Sequence, residues 1–246
     1  MQNKKSDIFL LYIWSKKSKS KKQKGCALMN EYRKKLLIEA GCEFERDLSP
    51  MEWESISESK ALTEEFIREF KSEVDWFQIS AYQKMSNEFI REFKNFITWP
   101  SFTEYQTLSE DFIREFQNNV SWHYVSAYQK LSENFIREFQ DKVAWYRISK
   151  EQKLSEDFIR EFQEQVDWDC ISAYQKISDN FLIEFQQYID WNSYFYYQKS
   201  EFSILKRFIS KTNYKDIFNH IKSDHLSNLQ KSEINRILKV KHLFTK

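Results

Sequence analysis

The sequence predicts an all-α fold: an α-solenoid of six 23-residue helix–turn–helix repeats with degenerate capping repeats at both ends. Three observations carry that prediction. Trp53, Trp76, Trp99, Trp122, Trp145, Trp168 and Trp191 stand 23 residues apart, and a fixed period of this size marks an array of stacked small units. Within the period, apolar residues recur at helical spacing rather than in alternation. Two Gly and two Pro in 246 residues leave few helix breakers. A leucine-rich repeat has a similar length, but its LxxLxL strand and Asn turn are missing here.

The chain divides into four segments. Residues 1–28 form a basic segment outside the array, expected to be disordered. Ile8–Trp14 is an apolar run too short to span a bilayer, and Ser15–Lys24 carries six lysines. A nuclear-localisation-like patch and a membrane-surface contact are the functional alternatives for it. Residues 29–61 are expected to hold an N-terminal helix, Asn30–Ala40 stopped at Gly41, and a degenerate capping repeat with Trp53 and Ile56 in register. Residues 62–199 are the six tandem repeats. Residues 200–246 are expected to be a basic helical cap, with Ile234, Ile237, Leu238 and His242 on one helix face. In this last segment Phe208, Tyr214 and Ile217 keep the register.

The repeat units begin at Leu62, Met85, Leu108, Leu131, Leu154 and Ile177. The second residue is always Ser or Thr, whose hydroxyl suits a helix N-cap. Acidic or amide residues follow, where negative charge meets the positive end of the helix dipole. Apolar residues then occupy the fifth, sixth, ninth and thirteenth positions, such as Phe158, Ile159, Phe162 and Val166. This face defines a helix A of roughly ten residues. The fourteenth position is Asp, Thr or Ser in five units and Ala144 in the other, which reads as a second N-cap. A short helix B follows, carrying Trp168, Ile171 and Tyr174 in the fifth unit. Its threefold spacing suggests a 3₁₀ turn.

Three recurrent polar features have structural readings. Arg at the seventh position and Glu at the eighth read as a ladder fixing repeat-to-repeat register. Glu at the third position lies four residues before that Arg in four units, a stabilising spacing on a helix. Gln at the twenty-second position occurs in all six units, and a repeated amide suggests a buried bond between units. The tryptophans read first as core; a base-stacking ladder is the alternative.

The charge is unevenly distributed. Residues 62–199 carry 15 Lys and Arg against 24 Asp and Glu, whereas residues 1–61 are net +4 and 200–246 net +6. An acidic array repels phosphate, so nucleic acid is disfavoured there and remains an option only at the basic ends. No transmembrane segment is expected. Cys26, Cys42 and Cys170 form no CxxC pair, and the four histidines show no metal-ligand spacing. No Gly-rich phosphate loop or recognisable nucleophile–base motif is present. The expectation is no catalytic residue, no cofactor and no metal. Nothing in the sequence sets an oligomeric state.

Units such as LSEDFIREFQ–VDW–ISAYQK resemble the short tandem repeats of giant DNA virus proteins related to mimivirus. The resemblance is strong over residues 62–199 and weak in the flanks. It departs at Leu182-Ile183, Pro100 and Glu151. It implies a viral protein made inside a host cell, in the cytoplasm, with the nucleus or virion as alternatives. It brings no activity.

Recognition is expected where the units differ. The two residues after each Trp vary in every unit: Phe77-Gln78, Pro100-Ser101, His123-Tyr124, Tyr146-Arg147, Asp169-Cys170 and Asn192-Ser193. Helical repeats can hold a scaffold constant and vary one row. This row is the candidate partner-binding surface; unconstrained solvent-facing drift is the alternative. The expected function is a non-enzymatic scaffold for an unidentified protein partner. A nucleic-acid-binding repeat protein and a structural component of a virus particle are the alternatives.

Overall fold

The computed structural model describes residues 22–41, 48–59, 61–198, 201–211 and 226–244. All regular structure among them is helical. The chain comprises two compact units, Met1–Gln106 and Thr107–Lys246. The fold is an α-solenoid of short repeats.

The first unit starts with α1 (Lys22–Glu39) and α2 (Pro50–Ser59). Helix α1 begins ahead of the expected Asn30, and the remainder of the basic segment, residues 1–21, lies outside the described residues. Gly41 closes the helix with φ 76°, its N–H donating to the Ile38 carbonyl at 2.8 Å. Only glycine takes that left-handed conformation without a steric cost. Two repeats follow: α3 (Glu64–Glu69) with α4 (Trp76–Tyr82), and α5 (Asn87–Phe93) with α6 (Trp99–Tyr105).

The second unit holds four repeats. They are α7 (Glu110–Glu115) with α8 (Trp122–Tyr128), α9 (Glu133–Glu138) with α10 (Trp145–Glu151), α11 (Glu156–Glu161) with α12 (Trp168–Tyr174), and α13 (Asp179–Glu184) with α14 (Trp191–Tyr197). Then come α15 (Phe202–Phe208), a 3₁₀ turn (Ile209–Lys211) and α16 (Asn228–Phe244). Within each unit, successive B helices pack in series.

Every A helix opens on the expected hydroxyl cap. Thr63, Ser86, Ser109, Ser132, Ser155 and Ser178 each accept from the backbone N–H of the Phe three residues on. The helices run six or seven residues, shorter than the expected ten. A turn follows, and in the first repeat the Phe70 carbonyl accepts from both Glu73 and Val74 N–H. This turn, rather than more helix, carries Val74 into the core. The expected apolar face is buried throughout: Phe66, Ile67, Phe70 and Val74 are at most 6% exposed.

Helix B departs from expectation in three ways. It is regular α-helix over seven residues, with no 3₁₀ turn in the repeats. Its cap works only with Asp: Asp75, Asp167 and Asp190 accept from backbone N–H groups, while Thr98 and Ser121 make no side-chain capping bond. At these positions ψ is 85° for Thr98 and 106° for Ser121, against 150° for Thr63 before helix A. That rotation turns a short hydroxyl away from the amides, and the longer carboxylate still reaches. Third, Tyr174 does not share a buried face with Ile171. The inward set is Ile171, Ser172 and Gln175, an i, i+1, i+4 pattern.

The ends continue the grammar of the array. Trp53 of α2 stacks on Phe66 and Phe70 as the repeat tryptophans stack on their successors. Arg33 of α1 lies 4.4 Å from the Phe70 ring and 2.6 Å from Glu73. Downstream, Phe208 of α15 stacks on Trp191 at 4.2 Å. Ile234 of α16 is buried in the same cluster as Leu205 and Phe208, with Ile237 packed against it. The α16 helix therefore packs against α15 and the last repeat. Tyr214 and Ile217, and the side chains of Leu238 and His242, fall outside what is described.

Candidate functional site

Three sets of bonds join one repeat to the next and consume most of the recurrent polar residues. The buried Gln is the first. In the fourth repeat, the Gln152 amide donates to the Ser126 and Gln129 carbonyls at 3.0 and 2.9 Å, and its oxygen accepts from Leu131 N–H. Gln175 repeats this on Ser149, Gln152 and Leu154. Gln152 is only 7% exposed. A buried amide with every partner in place is favourable, whereas its removal strands those partners.

A hydroxyl ladder forms the second set, which sequence reasoning missed. Ser57, Ser80, Thr103, Ser126, Ser149 and Ser172 occupy the nineteenth position and are fully buried. The Ser172 hydroxyl donates to the Trp168 carbonyl at 2.6 Å and accepts from Asp190 N–H at 3.0 Å. Ser57, Ser80 and Ser126 make the same pair of bonds. Its signal was available: a small hydroxyl residue recurs at a position flanked by Ile and Ala.

The third set is the expected charge ladder. Arg68, Arg114, Arg137 and Arg160 each bond the eighth-position Glu of the next repeat at 2.8–2.9 Å. Each guanidinium also lies 4.8–5.1 Å from a Phe ring of that repeat. The third-position Glu adds a link not foreseen. Glu64, Glu110, Glu133 and Glu156 each accept from the cap residue's backbone N–H in the following repeat at 2.6–2.7 Å. Burial pushes the Glu64 carboxyl up, but bonds from Ser86 and Arg68 outweigh it and hold the group below its ordinary value.

The tryptophans fit the core reading in part. Trp76, Trp122, Trp145 and Trp168 are half-buried, stacked on Phe rings of the next repeat. Their indole N–H groups donate to backbone carbonyls five residues back. Each ring is thus packed against Phe of the next repeat, the arrangement of a half-buried core residue.

The candidate recognition row splits in two. The first residue after each Trp is exposed: Phe77, Pro100, His123, Tyr146, Asp169 and Asn192. The second is drawn inward. Ser101 and Cys170 are buried, and Gln78, Tyr124, Arg147 and Ser193 are half-buried. The Ser101 hydroxyl donates to the Phe77 carbonyl, and Arg147 bonds the His123 ring at 3.2 Å. In these two repeats the second residue fastens its unit to the preceding one. Burial and the neighbouring Asp167 push the Cys170 thiol up to about 12, which keeps it protonated and unreactive.

A second exposed row lies at the twenty-first position. Tyr82, Tyr105, Tyr128, Tyr174 and Tyr197 are 43–56% exposed, with Glu151 in the fourth repeat. Of the ten exposed aromatic side chains in the repeats, eight sit on B helices; Phe96 and Tyr188, in the A-to-B turns, lean on Trp76 and Trp168. Charge separates the same way. Residues one to fourteen of the six repeats hold 8 Lys and Arg against 21 Asp and Glu, while residues fifteen to twenty-three hold 7 against 3. The A side is acidic, and the B side is aromatic and mildly basic.

No family model, curated protein or solved structure matches the chain. Among the described residues no group of His, Cys, Asp and Glu is placed to hold a metal ion. No described helix is long and apolar enough to cross a membrane.

Proposed function

We propose that the protein is a non-enzymatic repeat scaffold that holds a protein partner on the outward side of its B helices. One observation carries this reading: the exposed aromatic side chains are concentrated on those helices, while the recurrent Ser, Gln, Arg and Glu are largely committed to bonds between repeats. Tyrosine supplies large amphipathic contact area at low entropic cost and is enriched at protein interfaces. The split in the candidate row narrows the surface to Phe77, Pro100, His123, Tyr146, Asp169 and Asn192, together with the tyrosines.

The resemblance to giant-virus repeat proteins supports a viral protein acting inside a host cell, and a place in the virus particle is a variant of the same role. Affinity capture from host-cell extract, followed by mass spectrometry, tests the reading. A Phe77→Ala/Tyr128→Ala/Tyr146→Ala/Tyr174→Ala chain that stays folded is expected to lose proteins that the wild type retains. Retention of all of them by that chain overturns the proposal.

A further inference from the structure

The second unit carries a cationic stripe beside its tyrosines. Each B helix there ends in an extended residue, Gln129, Gln152, Gln175 or Gln198, with ψ of 142–153°. In extended backbone, neighbouring side chains alternate between faces. The Gln goes inward, so the residues on either side go outward. That places Tyr128 beside Lys130, and Tyr174 beside Lys176, all exposed. Lys153 is exposed next to Gln152, where Glu151 stands in place of tyrosine.

The substitution at Glu151 organises charge. Its carboxylate lies 3.3 Å from Lys150 and 3.9 Å from Arg147. The Lys150 ammonium in turn sits 5.5 Å from the Tyr174 ring, and Tyr174 packs on Tyr197 at 5.3 Å. These side chains are ordered by one another before any partner arrives, which lowers the cost of binding. Over residues 108–199, the B portions hold 6 Lys and Arg against 2 Asp and Glu; the A portions hold 4 against 14. A positive strip thus runs along an acidic body.

We propose that the B-helix edge of repeats three to six binds an extended acidic peptide segment of a partner protein. The lysines meet its carboxylates, and the tyrosines cover its apolar side chains and donate hydrogen bonds from their hydroxyls. The inference rests on the scaffold reading and names the partner's chemistry. Single-stranded nucleic acid fits less well. A base between two rings needs a gap of about 7 Å, twice the stacking distance of about 3.4 Å, and Tyr174 and Tyr197 are already in contact.

Fluorescence anisotropy on the full chain tests the proposal with three labelled probes. One is an alternating Glu–Tyr peptide of about twelve residues, enough to pass four repeats about 10 Å apart at about 3.3 Å per residue. The second is its Lys–Tyr counterpart, and the third an oligothymidine of equal length. The expected result is salt-sensitive binding of the first probe, at least about tenfold tighter than either other. It weakens by about tenfold or more in Lys150→Glu/Lys153→Glu/Lys176→Glu, and is unchanged in the A-side control Glu164→Lys, with circular dichroism showing all chains folded. Equal or tighter binding of the Lys–Tyr peptide or oligothymidine, or no binding of the acidic probe, overturns it. Captured host proteins lost on tyrosine substitution but kept on lysine reversal would leave the scaffold standing and remove the acidic chemistry.

Discussion

The A and B helices are nearly equal in length, yet they spend their side chains differently. On the A side, charged groups are paired across repeats: Arg137 meets Glu161 and lies over Phe158, and Glu133 accepts from Ser155. On the B side, Ser and Gln face inward and do the joining, while Tyr and Lys remain outside. A repeated residue is therefore not by itself a structural residue. The recurrent Arg and the recurrent Tyr look alike in the sequence, but the Arg is paired with a Glu of the next repeat while the Tyr keeps about half of its surface exposed.

The largest expected effect on stability comes from the buried amide. Gln152→Ala strands two carbonyls and the Leu131 N–H, and should cost about 3 kcal/mol in urea unfolding. A smaller loss is expected for Ser172→Ala, which removes the acceptor of Asp190 N–H, about 1–2 kcal/mol by the same measurement. If Ser172→Ala proves the more damaging, the order of the two inner ladders is reversed.

The outer ladder should matter less, since its ion pairs are partly exposed and screened by salt. Arg137→Ala is expected to lower the unfolding midpoint less than Gln152→Ala, with the gap to wild type narrowing at high salt. The Glu64 link adds a pH signature. Its carboxyl is held below the ordinary 4.5 when folded, so its contribution is full above that value and is lost as pH falls through the lowered one. Wild type and Glu64→Gln should differ in midpoint at neutral pH and converge in acid. A constant difference across that range would contradict the assignment.

The fold was legible because its signals are local and repeated six times. Ser155 and Phe158, three residues apart, announce a capped helix wherever they recur, and the period itself implies stacking. Gln152 was legible as a buried bond since an amide repeated at one position has little other reason to persist. Helix B was harder. In seven residues a threefold and a fourfold spacing differ little, so Tyr174 was placed with Ile171 when it faces outward. Thr98 and Ser121 have cap chemistry but the wrong ψ, and sequence carries no record of ψ. Cys170 and Ser101 vary among repeats, as a recognition position should, yet both are buried.

The smallest expected change in stability defines the comparison most sharply. Tyr128→Ala removes an exposed ring and should move unfolding by no more than about 0.5 kcal/mol, and Tyr174→Ala, which also gives up its contact with Tyr197, by about 1 kcal/mol. The most direct test of the central claim therefore measures partner capture and urea unfolding on one Tyr128→Ala/Tyr174→Ala/Tyr197→Ala chain. A midpoint lowered far less than in Gln152→Ala, with partner lost, is the predicted result. A lowered midpoint with partner retained would show that the tyrosines hold the array together, and that recognition lies elsewhere.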